Sequence, residues 1–414
     1  MAADQQRTTD NGQRTTDQML WIPRGFRASA VQAGLKPSGA LDLAVLAAGG
    51  PAAAAGTFTT NRICAAPVKW SREHLPAEDI RAVVINAGNA NAATGEEGLA
   101  NAERTAARAA ALLTCRPEQV LVASTGVIGH QLPMDRLEAG LEQAVARLAA
   151  DPQAFRTAAT AIMTTDTRPK LISDRREIAG RVVTLLGLAK GAAMIGPRMA
   201  TMLAFLLTDA PLWANDLRDI LVDAVDRSFH CLSVEGHTST NDTVLLLSST
   251  AAAEPILRGE EELTPFVEMV GFACQALAQQ IAGDGEGATH LITIDVQGCR
   301  DVAAARAIAR AVAESPLVKT AIYGADPNWG RIVSAAGYAG VPFEQEDLSL
   351  WINDVCVYQS GVPVPFDAVG LSAALKGRRE VSLRLDLASG TAAARFWTCD
   401  LTPEYVRLNA DYTT

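Results

Sequence analysis

The chain has 414 residues, 49% of them hydrophobic and only 20% charged, a composition that builds a buried core and excludes a disordered chain. At about 150 residues per domain, that length makes two or three packed units. Asp and Glu outnumber Lys and Arg by 46 to 36, for a net charge of −10, which argues against a nucleic-acid binder, since such proteins present a basic face to phosphate.

Residues 1–20 form a polar tail in which QRTTD occurs twice, at 6–10 and 13–17. Such a tract buries too little apolar surface to offset its ordering entropy and is expected to be disordered. It shows no charged-then-apolar secretion signal. The longest uncharged stretch, Leu43 to Asn61, is broken by Gly49-Gly50-Pro51 and is not read as a membrane helix. Short apolar runs rich in β-branched residues predict strands at 81–86, 119–123, 181–188, 243–248, 290–296 and 380–387. Helical spacing predicts helices over 97–114, 134–149, 215–229, 263–282 and 300–314. In the third, Leu217, Ile220, Leu221, Ala224 and Val225 make one apolar face. Strands and helices mixed along the whole length indicate an α/β or α+β fold.

The seven cysteines, at 64, 115, 231, 274, 299, 356 and 399, are scattered, odd in number and without a CxxC pair. They read as reduced core residues of a cytoplasmic protein. No two of the five histidines have metal-ligand spacing, so no metal site is expected. Loops rich in Gly, Thr and Asn separate the elements: NAGNANAATG (86–95), STGVIG (124–129), GHTSTNDT (236–243), GDGEGAT (283–289) and YGADPNWG (323–330). Each taken alone is an ordinary turn, and none fits the spaced glycines of a dinucleotide or P-loop signature.

The most informative stretch is KGAAMIGPRMATMLAFLLTDA, residues 190–210. Glycines and a proline give an irregular approach to an apolar run that starts at Thr201 and reads as a buried strand. By itself Thr201 is a strand-start hydroxyl bonded to nearby backbone. The segment, however, resembles the glutamate N-acetyltransferase (ornithine acetyltransferase) family of arginine biosynthesis, whose pattern KG…M..P.MATML is matched by Lys190, Gly191, Met194, Pro197, Met199, Ala200, Thr201, Met202 and Leu203. The resemblance runs from about Ile22 to Thr414. It takes in GNAN.ATG at 88–95, STGVIG at 124–129, AIMTTDT at 161–167, TSTNDT at 238–243 and DGEGAT at 284–289. SPLVKTA…G.DPNWGR at 315–331 and CDLT..YV.LN..Y.T at 399–414 complete it.

The resemblance implies that the chain cuts itself between Ala200 and Thr201, giving an α chain of 21–200 behind the tail and a β chain of 201–414. It implies an αββα-type layered core of the N-terminal-nucleophile kind with a second α/β lobe, and an assembly of two α and two β chains. Thr201 becomes the nucleophile, and its freed α-amine, titrating near ~7.7–8.0 when unperturbed, acts as general base. The oxyanion donors map onto Thr125 and Gly126, and the substrate-binding positions onto Thr164, Lys190, Thr201, Glu286, Asn409 and Thr414.

Lys190 then suits a substrate carboxylate, and Glu286 either the ornithine ammonium or an incoming amine. Without the resemblance Lys190 is a solvated lysine, Glu286 a turn residue, and Asn409 and Thr414 belong to a fraying tail. With it, the C-terminus is expected to fold back over the site. The implied reaction moves the acetyl group of N2-acetyl-L-ornithine to L-glutamate by a ping-pong cycle through an acetyl-Thr201 ester. No cofactor is implied; acetyl-CoA is a possible co-substrate, and neither nucleic acid nor membrane is a partner.

Ala192-Ala193, Gly196, Arg198 and His237 depart from or vary within the family pattern. They bear on rate and specificity more than on reaction class. Two rivals stand beside the transferase: a self-processed amidase or peptidase, in which water replaces glutamate, and a non-catalytic amino-acid-binding relative that stays uncut.

Overall fold

Leu43–Phe58, the stretch whose composition is Ala, Gly and Leu with little β-branching, is a sixteen-residue strand in the computed structural model, which describes residues 19–196, 202–249 and 256–411. Its mostly small side chains are buried through much of its length, and Gly49-Gly50-Pro51 interrupts its register between Ala47 and Ala52. The polar tail lies, as far as residue 18, outside the described residues.

The first part of the chain runs β1 (Phe26–Val31), β2 (Leu43–Phe58), α1 (Ala66–Glu73), β3 (Ala77–Asn89), α2 (Gly95–Leu113), β4 (Val120–Val127), α3 (Met134–Ala146) and α4 (Pro152–Ala161). It continues with β5 (Lys170–Ile178), β6 (Arg181–Lys190), β7 (Leu203–Thr208), α5 (Ala214–Asp226), β8 (Thr243–Ser249) and α6 (Glu260–Ala282). The second part runs β9 (Leu291–Cys299), α7 (Val302–Glu314), α8 (Pro316–Tyr323), α9 (Trp329–Gly337), β10 (Ser349–Ile352), β11 (Val355–Gln359) and β12 (Val362–Pro363). It ends with α10 (Ala368–Gly377), β13 (Glu380–Asp386), β14 (Ala392–Cys399) and α11 (Pro403–Asp411). The β-branched runs and the amphipathic spacings therefore fall on strands and helices as the sequence predicts, with ends shifted by a few residues.

The first sheet has the order β4-β3-β2-β8-β7-β6-β5, with β1 also on β2. In a flat sheet β4 and β6 would stand five strand spacings, about 24 Å, apart. Instead Lys190 Nζ at the end of β6 donates to Thr125 Oγ1 in β4 at 2.9 Å, so the sheet folds over on itself. The inner faces meet in one core built from Leu46, Val83, Ile85 and Leu121 on one side and Leu186, Leu188, Phe205 and Leu245 on the other, with Phe155 of α4 packed in. Outside the first half, Ala106, Ala109 and Ala110 of α2 and Leu137 and Leu141 of α3 cover Val45, Val84 and Val122. Outside the second half, Leu217 and Leu221 of α5 and Phe266 and Leu277 of α6 cover Leu185, Leu206 and Leu246. The architecture is helix–sheet–sheet–helix, the αββα layering that the resemblance implies.

The second lobe is a six-stranded sheet, β12-β11-β10-β13-β9-β14. Strand β9 alternates buried and half-buried residues, and Ile292, Ile294 and Val296 join α6 and α7 in the core that covers the first sheet. The lobes thus share apolar surface. No helix among the described residues is long and apolar enough to cross a membrane. The cysteines are free, but Cys64, Cys115 and Cys356 are partly exposed, a departure from the all-core reading: Cys64 sits in a connection and Cys115 just past α2, where one side faces solvent.

Candidate active site

The sequence places Thr125 and Gly126 in a turn after a strand; in the structure they are inside β4, which runs to Val127. Gly126 has φ +132°, and a Cβ there would lie 2.3 Å from the Gly88 carbonyl carbon and 2.5 Å from the Asn89 amide nitrogen. Beside it β3 has an irregular register between Gly88 and Asn89. Only glycine fits so close to a neighbouring backbone in that conformation. The strand continues because parallel pairing with β3 carries on to its end, which holds the Thr125 side chain on a rigid element.

Lys190 is fully buried, not a solvated lysine. Its ammonium fills one acceptor position of the Thr125 hydroxyl, so the hydroxyl's own proton is left to donate elsewhere. Burial pushes the Lys190 ammonium below its ordinary value; the charges of Asp166, Asp242 and Glu286 oppose this, and Lys170 reinforces it. Asp166 stands behind the lysine. Its Oδ1 accepts from Lys170 Nζ and from the Gly191 amide, each at 2.6 Å, and its Oδ2 from the Thr164 amide at 3.0 Å. Burial alone would raise the Asp166 carboxyl, but Lys170, Lys190 and these bonds bring it down to about 2.

Lys170 also reaches Asp284 Oδ2 at 2.6 Å, and the lysine and both carboxylates are closed off from water. Asp284 further accepts from the Thr167 amide at 3.1 Å. This network ties the 162–169 connection, the end of β6 and the loop of Glu286 together. The Glu286 amide donates to the Ala192 carbonyl at 2.9 Å, and its Oε2 accepts from Asn409 Nδ2 of α11 at 2.8 Å. The C-terminal helix therefore does meet that loop, held also by Thr402 Oγ1 on the Gly287 carbonyl at 2.8 Å.

Across from these, Asn241 Nδ2 donates to the carbonyls of Ala90 at 2.6 Å and Ser124 at 2.9 Å, fastening the strand ends of β3 and β4 to the start of β8. Asp242, wholly buried, accepts from the Met202 amide at 2.9 Å. Burial pushes its carboxyl well above the ordinary range, against the pull of the Met202 bond and the Lys190 charge. Of the residues singled out from the sequence, Thr125, Gly126, Thr164, Lys190, Glu286 and Asn409 are tied into one connected group of loops and strand ends. Ala200, Thr201 and Thr414 lie outside the described residues. Sequence reasoning did not pick out Asp166, Lys170, Asn241, Asp242 or Asp284. Four of these stand inside quoted motifs; Lys170 lies just past one, four residues after its partner Asp166, while its second partner Asp284 is 114 residues away.

Buried polar groups from both halves of a folded-over sheet meet at the strand ends, the arrangement of an α/β enzyme fold. Residues 27–414 match the model of the ArgJ family, and the chain belongs to that family. It is similar to the arginine biosynthesis bifunctional protein ArgJ of Symbiobacterium thermophilum, 46% identical over 395 residues, which span 95% of this chain and 98% of that protein. It is also similar to the protein of the same name in Dehalococcoides mccartyi, 45% identical over 401 residues, 96% of this chain and 98% of that one. A solved ornithine acetyltransferase from Mycobacterium tuberculosis, determined in complex with ornithine, is 42% identical, covers 42% of this chain and 92% of its own, and has a TM-score of 0.39.

Proposed function

We propose that the chain is an acetyltransferase of arginine biosynthesis that moves the acetyl group of N2-acetyl-L-ornithine to L-glutamate, made active by cutting itself between Ala200 and Thr201. Family membership supports the reaction class. The observation that carries the site is the buried contact between Lys190 and Thr125, at the strand ends beside the start of β7. A threonine whose oxygen already accepts from an ammonium can turn its proton toward a developing oxyanion. The Gly126 amide supplies the second donor, on a backbone too crowded to shift.

In the cutting step the Thr201 hydroxyl attacks the Ala200 carbonyl, the C–N bond breaks, and the hydroxyl proton passes to the departing nitrogen. Water then hydrolyses the ester, leaving an Ala200 carboxylate and a Thr201 that carries both a free hydroxyl and a free amine. In turnover the hydroxyl attacks the acetyl carbonyl while the amine takes its proton. Thr125 and Gly126 hold the tetrahedral oxyanion, and ornithine leaves with that proton. The glutamate α-amine then attacks the ester, giving N-acetylglutamate and restoring Thr201. Thr164, Lys190, Glu286, Asn409 and Thr414 bind the amino-acid frame. No cofactor enters the cycle.

Strands β7 and β8, beyond the cut, lie between β2 and β6, before it. The two pieces therefore share one sheet, which would hold them together after cleavage; two α and two β chains assembled in the cytoplasm belong to the same proposal. The test is incubation with acetylornithine, with and without glutamate, alongside intact-mass analysis. Expected are N-acetylglutamate only when both are present, and two pieces, the second beginning Thr-Met-Leu-Ala. Ornithine release at the same rate without glutamate, and no N-acetylglutamate, would show an amidase. Thr201→Ala should leave one uncut, inactive chain.

A further inference from the structure

Two carboxyl groups that the acetyl-transfer scheme does not use grip the chain on either side of the segment to be cut. On the near side, the Ile195 amide donates to Glu235 Oε1. The Ile195 carbonyl accepts from the amides of Val234 at 2.8 Å, Gly236 at 3.1 Å and Glu235 at 3.2 Å. Gly196 follows flush against Gly236: a Cβ on it would lie 2.5 Å from the Gly236 carbonyl carbon. The residue noted from the sequence only as variable thus has no room for a side chain.

On the far side, the Met202 amide donates to Asp242 Oδ1 at 2.9 Å, and the Met202 carbonyl accepts from the Thr243 amide at 3.2 Å. There β7 and β8 begin side by side in parallel register, Leu203 opposite Thr243. Both carboxyl groups come from the one connection between α5 and β8. Each spends one oxygen on a main-chain amide, and the other, Glu235 Oε2 or Asp242 Oδ2, is shut off from solvent with no hydrogen bond of ordinary geometry among the described residues, although the His237 amide acts on Glu235 and the Ser239 and Thr59 hydroxyls on Asp242. A carboxylate kept only for core stability would normally have both oxygens satisfied.

We propose that Glu235 and Asp242 are positioning residues for self-cleavage, a paired clamp in the 232–242 connection that fixes the two ends of the 196–201 segment. This rests on the reading that the chain cuts itself before Thr201. Attack of a hydroxyl on the preceding carbonyl needs the two held in reach, and displacement by about 1 Å can cost roughly 100-fold in rate. The clamp needs only an acceptor oxygen on each amide, so it works with neutral carboxyl groups. Burial, which pushes Glu235 up to about 8 and Asp242 well above its ordinary value, is compatible with that.

The test follows freshly translated full-length chains by time-resolved intact mass, with melting curves on the same material. Glu235→Ala and Asp242→Ala should accumulate folded, uncut chain and cut roughly 10- to 100-fold more slowly than wild type. Glu235→Gln and Asp242→Asn keep the acceptor oxygen and should cut within a few-fold of wild type. Gly196→Ala touches neither carboxyl group yet lifts the segment from Gly236, and should also slow cutting; it carries the test if an alanine variant fails to fold. Folded alanine variants that cut at the wild-type rate overturn the clamp, as do Gln and Asn variants as slow as the alanine ones. A wild-type chain that stays whole overturns the self-cleavage reading itself, an outcome seen in the control and not in the variants.

Discussion

Asp166 and Asp242 are both enclosed aspartates whose charges act on Lys190, and the fold shifts them in opposite directions. Asp166 receives Lys170, the Gly191 amide and the Thr164 amide and is held down to about 2. Asp242 receives the Met202 amide, with the Ser239 and Thr59 hydroxyls and the more distant Lys190 charge pulling the same way, and burial still drives it well above the ordinary range. Burial has the same sign in both, so what separates them is the number of cations and donors within reach. The site therefore favours a negative charge beside the lysines, where Lys190 must be steadied, and the protonated form of the carboxyl groups that hold the Ile195 and Met202 amides.

The largest way to break that contrast is Asp166→Asn. It leaves Lys170 with Asp284 alone and removes the counter-charge nearest Lys190, and unpairing a buried ion pair costs about 3–5 kcal/mol. Denaturant unfolding at pH 7 should show that loss, whereas Asp242→Asn should be no less stable than wild type there. The folded value of Asp166 lies below its unfolded one, so its stabilisation is present above about pH 4 and fades as pH falls toward 2. Asp166→Asn should flatten that acid limb; an unchanged limb would mean that Asp166 is not ionised.

Gly126→Ala comes next. The added carbon meets the Gly88 and Asn89 backbone, so the end of β4 must move and carry Thr125 from Lys190. Losing one oxyanion donor costs about 10²–10³ in kcat, whereas the crowding costs about 1–3 kcal/mol of stability. Steady-state kinetics and melting on one preparation separate the two, and normal kcat with a lowered Tm would remove the oxyanion role.

Legibility in the sequence followed the same divide between local and distant causes. Strands β6, β8 and β9 were readable because β-branched runs announce a pleated, buried surface. Strand β2 was not: squeezed between β1, β3 and β8 with both faces covered, it needs Ala and Gly, residues that carry no strand preference. Motif matches singled out Thr125, Gly126, Lys190, Glu286 and Asn409, which the fold ties into one connected group, because each lies in a short, ordered pattern. Glu235 acts on an amide 40 residues away, and Lys170, besides Asp166 four residues before it, on a carboxylate 114 residues away; no local spacing encodes such distant partners. Gly126 looked like a turn glycine; only the Gly88 backbone beside it shows why a strand needs it.

The smallest effects sharpen the neutral side of the contrast. Glu235 is raised to about 8, first by burial and then by Glu286, against the Ile195 and His237 amides and Lys319. Between an unfolded value near ~4.5 and that folded value the native chain holds a proton that the unfolded chain has lost. Wild-type stability should therefore fall with rising pH across this window and level off above 8. Glu235→Gln removes that slope and should lose about 1–3 kcal/mol less than wild type between pH 5 and 7. Burial favours the protonated form of Asp242, and Asp242→Asn keeps its shape, so near pH 3, where the unfolded carboxyl is protonated too, the two chains should unfold within about 0.5 kcal/mol. As pH rises the variant should gain on wild type, because only wild type has an acid whose ionisation favours unfolding. A variant that instead weakens steadily toward alkaline pH would place a charged, partnered Asp242 beside Met202.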